Sequence, residues 1–540
     1  MGLVDGHPGT PLKVQLMGLE LAVNDTNRMW HPDAPVPSGV VGVVWGAVAL
    51  GSRIDGVNPD LTRNPLEVIF GLIRGRVVWP ASSTCRSFFG VPRPRRDLQE
   101  LSRKGATRTA ARLVVQGTPG ILEAPGAVMT TSNKRDVVDG RRDPRSLVGQ
   151  VWIFDPQGIA LEQATSRWNP LSYVKGDVKA FKLAEHFASS ARADGAVQDA
   201  FFEPAGQDLL AGMLLAAALG RRPITQVFIR LSEPTNEEPV DLLRLHEYDH
   251  IAADVQGVIM APEKQRGGVY GTARQMAACL KIRAIDRWVA PIGGNLAGDR
   301  RPHFDPDAFV RGTGTLYSLS KEGQGSAGAL VTALTAAVVE AAEEYATTQP
   351  GGRLAVPMLV VLDEAANVCR WKNLPDLYSH YGSRGIPIMS LFQSWAQGQV
   401  VFGREGMRKL WSASNVKLYL GGVSEADFLR ELSELVGDYD KSTSSVSYNK
   451  GVRSTNHQLR RERILDASEL AALPRGRAVM LSSGSPAALI ETVPWMKGKH
   501  AQAVHASIAA HDPAMPAADT APAAAPVAMI DPDDLEESRP

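Results

Sequence analysis

The hydrophobic pattern in the second half of the chain alternates between short apolar runs and longer stretches with helical spacing. The short runs lie at residues 314–320, 359–362, 386–392, 416–420 and 478–482, with two earlier ones at 127–130 and 151–154. Repeated alternation of this kind is typical of α/β folds. It predicts a mostly parallel sheet with helices on both faces, built from residues 113–178 and 301–500.

Residues 179–300 have a different pattern. Apolar residues recur there at helical spacing, and several segments are rich in alanine, a strong helix former. One short apolar run, QVFIRL at 226–231, is interpreted as a strand. The remainder predicts an all-α insert within the α/β core.

The two ends of the chain carry weaker patterns. Residues 1–112 are irregular and then basic and helical, and we interpret them as a membrane-proximal remnant. The apolar stretches 40–51 and 64–79 are too short or too interrupted for a membrane span and are predicted to be buried or interfacial. Residues 501–540, rich in Ala and Pro with an acidic end, predict a disordered tail.

Composition narrows the class of protein. Lys plus Arg number 58 and Asp plus Glu number 58, so any nucleic-acid surface must be local. Cys85, Cys279 and Cys369 are isolated, which fits a reducing compartment and no structural zinc. The first residues show no secretory signal pattern, so we expect the cytoplasm or the cytoplasmic side of the membrane.

The chemistry is concentrated at Asp363 and Glu364, which directly follow the apolar run 359–362. A buried parallel strand binds ligands beyond its carboxyl end. There the first acid can hold Mg²⁺ and the second can orient or deprotonate a water, as in the Walker B element of P-loop ATPases. An ordinary strand end entering a capped helix gives the same pattern, so both interpretations stay open.

A second candidate group is the stretch Thr131, Ser132, Asn133 and Lys134, which follows the run 127–130. Hydroxyls and an ammonium at a strand's carboxyl end can face phosphates, so Thr131 and Lys134 are predicted to bind the nucleotide. An ordinary loop would have the same composition.

Several stretches together resemble one known family. VVLDEAAN, GSRGIPIMSLFQSWAQGQVVFG, RERILDASELAALPRG, TTSNKRDVVD and VWIFDPQG are similar, in order and spacing, to type IV secretion coupling proteins of the TraG/TraD kind. The resemblance covers residues 120–495. It implies a RecA-like P-loop ATPase core with an all-α insert, in a membrane-associated hexamer that binds DNA and the relaxase–DNA complex and feeds a conjugative secretion channel.

The resemblance also implies roles for single residues. Asp363 matches the acid on the Mg²⁺ side, and Glu364 matches the acid that activates water. Gln393 matches the glutamine that senses the terminal phosphate. Arg384 matches an arginine that acts across a subunit boundary, although a surface arginine would look the same in the sequence.

The chain departs from the family at the phosphate loop. GxxxxGK[ST] is missing, and the only Gly-Lys pair, Gly498-Lys499, is followed by His500. Because that loop cradles the phosphates and helps to hold Mg²⁺, its absence argues against ATP binding at the usual strength. Two functions therefore stay open: a DNA-transfer motor with an atypical ATP and Mg²⁺ site, or a non-hydrolysing adaptor that binds a relaxase or a sister motor.

Overall fold

The computed structural model describes residues 12–16, 19–23, 77–78, 117–191, 199–292, 298–323, 326–449 and 452–513. Side-chain surroundings are described from residue 117 onward, except at 445–449 and 452–456. The predicted basic helix at 93–112, the apolar stretch 40–51 and most of 64–79 lie outside these ranges, as does Cys85.

The strands of the described chain are β1 (Leu12–Leu16), β2 (Leu19–Val23), β3 (Val77–Val78), β4 (Val128–Ser132), β5 (Val151–Phe154), β6 (Thr315–Leu319), β7 (Leu359–Leu362), β8 (Ile388–Ser390), β9 (Val416–Tyr419), β10 (Asp438–Asn449), β11 (Val452–Arg463), β12 (Arg477–Ser482) and β13 (Ala488–Glu491). β1 pairs with β2, and β10 pairs with β11, as separate antiparallel hairpins.

The α-helices are α1 (Thr118–Glu123), α2 (Asp136–Asp139), α3 (Arg142–Ser146), α4 (Asp177–Ala191), α5 (Phe202–Leu219), α6 (Thr225–Arg230), α7 (Glu238–Leu245), α8 (Asp249–Ile259), α9 (Glu263–Met276), α10 (Arg283–Val289), α11 (Pro306–Phe309), α12 (Gly328–Thr347), α13 (Leu374–Ser383), α14 (Trp395–Ala413), α15 (Ala426–Val436), α16 (Ala467–Ala471) and α17 (Ala501–His511). None of the helices described here is long and apolar enough to cross a membrane.

The centre of the fold is a five-stranded sheet in the order β5-β6-β4-β7-β8, with every neighbouring pair parallel. β4, β6 and β7 are buried along their whole length. Continuous apolar strands of this kind are expected where both faces of a parallel sheet are covered. The predicted α/β core with an all-α insert is therefore confirmed.

A buried arginine and a glycine fix the entry to the central strands. Arg145 donates to Thr315 Oγ1 at 2.7 Å and to the carbonyls of Ala124 and Thr313, both at 2.9 Å. It thus joins the segments that lead into β4 and β6. A Cβ on Gly126 would lie 2.5 Å from the carbonyl oxygen of Pro357, so the close approach of the segments before β4 and β7 requires glycine.

The late strands differ from the prediction. The runs 416–420 and 478–482 were expected in the parallel sheet, but β9 and β12 belong to a four-stranded antiparallel sheet in the order β3-β13-β12-β9. The short connection between β12 and β13 permits only antiparallel pairing. An apolar run does not by itself indicate the direction of its partner. Both sheets nevertheless contribute to one hydrophobic cluster that contains Val361, Leu391 and Met480.

Every regular element described between α4 and α10 is a helix. The predicted strand at 226–231 is wrong, because residues 225–230 form α6 with Val227 buried in the helical core. Its apolar run is too short to separate helix from strand by periodicity. The insert is tied to the core where Lys182 donates to Glu340 on α12 at 2.9 Å.

The start of the predicted disordered tail is ordered. Residues 501–511 form α17, in which Val504 is buried and Ser507 donates a hydrogen bond to the carbonyl of Asp139. Alanine supplies helix propensity here, and contacts with α2 supply the burial that the composition did not indicate. Residues 514–540 lie outside the described ranges.

Candidate functional site

Polar side chains follow three neighbouring strands of the parallel sheet at the edge where the strands end. The register pairs Thr131 with Leu362, which places Ser132 of β4 beside Asp363, the residue that follows β7. The Ser132 hydroxyl donates to Asp363 Oδ2 at 2.9 Å. Gln393 follows β8 and reaches the next acid. Three strands thus bring together residues that are far apart in the sequence.

Glu364 is held by a carboxamide and by an unusual backbone conformation. Gln393 Nε2 donates to both carboxylate oxygens of Glu364, each at 2.8 Å. Glu364 has φ +52°, a left-handed conformation that costs a non-glycine residue about 1 to 2 kcal/mol. Strain of this kind persists when the surroundings over-determine it, and it is concentrated at functional sites.

A third carboxylate closes the same edge. Glu322 Oε1, in the loop after β6, accepts from Asn133 at 2.7 Å and from Asn367 at 2.9 Å. Asn367 also donates to Glu364 Oε2 at 3.4 Å. We call the set formed by Ser132, Asn133, Glu322, Asp363, Glu364, Asn367 and Gln393 the carboxyl-edge cluster.

Gln157, after β5, anchors the loop that carries Glu322. Its carboxamide oxygen accepts from the Ser320 hydroxyl at 3.0 Å and from the amides of Lys321 at 2.9 Å and Ala327 at 3.0 Å. One side chain therefore fixes both ends of the loop between β6 and α12. Glu322 is held over the cluster as a result.

Asp363 is the most buried acid of the cluster. It is 1% exposed, and burial, with the Glu364 charge adding to it, raises its pKa to about 6, against the lowering effect of Ser132 and Lys134. Its Oδ1 atom has no hydrogen-bond partner among the described residues, and neither has Asn133 Oδ1. Two buried acceptors without donors require a cation or water to satisfy them.

This donor set fits Mg²⁺ held largely by other ligands. The described residues contain no group of three or more carboxylate, His or Cys side chains placed to bind a metal. Mg²⁺ commonly takes one or two carboxylates and completes its shell with waters and substrate phosphates. Asp363 can supply that carboxylate, and Ser132 orients it.

The two other predicted nucleotide ligands lie close by. Thr131 is fully buried, and its hydroxyl lies 3.4 Å from the carbonyl of Asp363, so it supports the backbone of the acid pair. Lys134 is half-buried, its amide donates to Ser132 Oγ at 3.2 Å, and its positive charge lowers the pKa of Asp363. Of the two, Lys134 is the one positioned to meet an anion.

Arg384 lies elsewhere. It directly follows α13 and precedes β8, so it lies at the amino-terminal ends of the parallel strands, opposite the cluster. Its guanidinium donates to the carbonyl of Gly352 at 2.9 Å. The length of β7, about 13 Å, separates the two edges. The structure does not bring Arg384 to the cluster within one chain, and its assigned action across a subunit boundary stays a prediction.

Glu322, Asn367 and Gln157 were not singled out by the sequence. Each follows a strand that the sequence did predict, since Gln157 follows β5, Glu322 follows β6 and Asn367 follows β7. A polar residue just after a buried parallel strand was therefore the available signal. The signal was applied only to the residues directly after β4, β7 and β8, so it missed Gln157, Glu322 and the more distant Asn367.

These features define an α/β protein with a polar cluster at the carboxyl edge of a parallel sheet, the edge at which such sheets bind ligands. Residues 357–475 match the family model described as the TraM recognition site of TraD and TraG. This match confirms the resemblance to coupling proteins of conjugative type IV secretion. No curated protein matches the chain.

Solved structures with a similar fold include two of the bacterial conjugative coupling protein TrwB. The trigonal form of TrwBdeltaN70 with sulphate is 17% identical over 72% of this chain and 83% of its own, with a TM-score of 0.49. TrwB with ADP and Mg²⁺ is 15% identical over 71% and 87%, with a TM-score of 0.44. VirB4 of Thermoanaerobacter pseudethanolicus is 12% identical over 69% and 92%, with a TM-score of 0.33.

Proposed function

We propose that this chain is a coupling-protein subunit that uses the carboxyl-edge cluster to bind and hydrolyse Mg-ATP during conjugative DNA transfer. Its partners are DNA, a relaxase complex and the secretion channel, at the cytoplasmic side of the membrane, with a hexamer of this chain as the working form. The observation that carries the proposal is the pair formed by Glu364 and Gln393 beside Asp363.

The pair supports hydrolysis because its parts have complementary chemistry. The Glu364 carboxylate can accept a proton from an attacking water. The Gln393 carboxamide donates through its nitrogen and keeps an oxygen that can accept, so it can link the carboxylate to a water or a phosphate. Asp363 would hold Mg²⁺, which neutralises phosphate charge when bound.

The phosphate-binding part of the site is weak by comparison. No GxxxxGK[ST] loop is present in the sequence, and Lys134 is the lysine placed near Asp363. Without the backbone and lysine contacts of that loop, the site makes fewer contacts with the phosphates. We therefore expect binding weaker than that of a site with the complete loop.

A steady-state ATPase assay with Mg²⁺ tests the proposal. Glu364→Gln keeps size and hydrogen-bonding capacity but cannot take a proton, so we expect at least about a 100-fold loss of rate. Glu405→Gln, an exposed glutamate on α14, is the matched control and should retain the parental rate. Equal rates for the parent and Glu364→Gln would reject the catalytic role.

The missing phosphate loop favours one second candidate, a non-hydrolysing adaptor. In that case the α/β core is a scaffold and the chain acts by binding a relaxase or a sister motor. Co-purification with an active sister ATPase, by a chain with no ATPase activity of its own, would support the adaptor. Hydrolysis that depends on Glu364 would exclude it.

A further inference from the structure

The hairpin of β10 and β11, which we call the ribbon, stands apart from both sheets. Its strands pair with each other from Asp438↔Arg463 to Asn449↔Val452 and with no other described strand. At about 3.4 Å per residue, the ribbon is about 40 Å long. An isolated two-stranded hairpin is marginally stable, so this length of uncovered sheet requires a reason.

Both faces of the ribbon are open to solvent at residues 442–444 and 457–461. Ser442, Thr443 and Ser444 are exposed on β10, and residues 457–461 are exposed on β11, with Leu459 70% exposed. Apart from Leu459, these exposed residues are polar or charged, in place of an apolar surface that would pack on a protein core. The ribbon is thus built for a polar partner.

Charge is distributed unevenly along the ribbon. Within the ribbon, residues 441–449 and 452–461 contain four Lys or Arg and no Asp or Glu, in a chain whose net charge is zero. The acids lie only at the base, where Asp438 pairs with Arg461 at 3.1 Å and Glu462 pairs with Lys441 at 3.4 Å. Away from the base, every charged residue of the ribbon is Lys or Arg.

The strand register places like charges together. Lys441 lies directly opposite Arg460. Like charges in directly opposed positions destabilise an antiparallel pair. Arg460 has no ion-pair partner among the described residues. This arrangement reduces the stability of the hairpin and increases its positive potential, which points to an anionic ligand.

We propose that the ribbon binds the sugar-phosphate backbone of nucleic acid. Arg, Lys, Ser, Thr and Asn side chains are the usual phosphate contacts, and residues 441–449 and 452–461 of the ribbon hold nine Ser, Thr or Asn besides the four basic residues. A two-stranded ribbon also has the width that the DNA major groove admits. The inference deepens the proposed function by naming a DNA-contacting element, and it does not depend on ATP hydrolysis.

The test is a fluorescence-anisotropy titration of the full chain, without nucleotide, on duplex and single-stranded DNA. The ribbon variant is Lys441→Ser/Arg460→Ser/Arg461→Ser. Its matched control, Lys264→Ser/Arg274→Ser/Lys281→Ser, removes three exposed charges from the insert. A further variant, Arg460→Lys/Arg461→Lys, retains the charge.

We expect the ribbon variant to lose at least about tenfold in affinity at 50 mM salt, and its salt slope on duplex to fall by about 2 to 3, since each phosphate contact contributes about 0.9. The control and the charge-retaining variant should stay within about twofold of the parent. A loss on duplex alone would indicate groove binding, and an equal loss on both forms would indicate backbone contact.

Two results would overturn the inference. One is a ribbon variant that binds DNA as tightly as the control does. That result would exclude the ribbon as a DNA contact but would not contradict DNA transfer as the function. The other is a parent chain that does not bind DNA at low salt. Binding to vesicles of phosphatidylcholine with phosphatidylserine is measured as the alternative anionic ligand. A ribbon variant that loses vesicle binding but keeps the DNA affinity of the parent would assign the ribbon to a membrane surface.

Discussion

Gln393 donates through one nitrogen to both carboxylate oxygens of Glu364, each at 2.8 Å. This contact fixes the orientation of an acid whose backbone is already in the left-handed region at φ +52°. Under the proposed function, this contact orients Glu364, at the carboxyl edge of a buried strand, as the general base.

We expect Gln393→Ala to lower the ATPase rate roughly 100-fold while Mg-ATP affinity changes by less than about threefold, because the contact acts on the base rather than on the bound nucleotide. Single-turnover kinetics and calorimetry separate the two quantities. Gln399→Ala, on the neighbouring helix α14, is the control. A variant that loses affinity and rate together would instead make Gln393 a binding residue.

We expect the buried Asp363 carboxylate to reduce the stability of the fold in the absence of cations. Its raised pKa, about 6 against an ordinary 3.8, means that its ionised form is disfavoured in the folded state. The cost is present above pH 6 and disappears as pH falls towards 3.8. We expect Asp363→Asn to raise the free energy of unfolding at pH 7.5 by on the order of 2 kcal/mol.

Urea denaturation without Mg²⁺ checks this expectation, and the gain should shrink steadily between pH 7 and pH 4. The same variant should lose Mg²⁺-dependent nucleotide binding, since a neutral amide is a poor Mg²⁺ ligand. A constant difference at every pH would mean that Asp363 is not the titrating group.

Glu340 on α12 joins the insert to the core through ion pairs with Lys179 and Lys182. Its contribution to stability should therefore also depend on pH. Burial acts to raise its pKa, but hydrogen bonds and charge from Lys179 and Lys182 hold the pKa below its ordinary 4.5. Its stabilisation is therefore present above pH 4.5 and lost as pH falls below that value. Glu340→Gln should cost about 2 to 3 kcal/mol at pH 7.

Thermal and urea unfolding at pH 7 and pH 4 measure the effect. The variant should also lose less stability than the parent on acidification. Glu431→Gln, exposed on α15, is expected to change stability by less than about 0.5 kcal/mol. An equal acid response in the parent and in Glu340→Gln would contradict the ion-pair account.

Arg384 lies at the far edge of its own sheet, so its predicted role needs a second subunit. Arg384→Ala alone and Glu364→Gln alone should each lose roughly 1,000-fold in rate. An equal mixture should recover activity, because about a quarter of the interfaces in a mixed ring combine an intact Glu364 with an intact Arg384. No recovery at any mixing ratio would mean that Arg384 acts only within its own chain, through its hydrogen bond with Gly352.

The sequence indicated those parts of the site that its local pattern encodes. The apolar run 359–362 predicted β7, and the acids after it fell where a parallel strand ends. The contacts of Glu322 could not be read in this way, since its partners Asn133 and Asn367 lie 189 and 45 residues away. Only the fold brings them together.

The sequence pattern also did not indicate the direction of β9 and β12 or the burial of α17. The runs that became β9 and β12 have the same apolar character in a parallel or an antiparallel sheet, and pairing with each other decided their place. Val504 and Ser507 stabilise α17 through contacts with the segment around Asp139 and Gly140, which an alanine-rich composition does not indicate.

The most direct measurement of the central claim is the calorimetric affinity for Mg-ATP, compared between the parent chain and Glu364→Gln. The account predicts measurable Mg²⁺-dependent binding in both, with hydrolysis only in the parent, because Glu364 acts on water and Asp363 on the cation. Absence of binding in both chains at millimolar nucleotide would contradict it and leave the adaptor as the function of this protein.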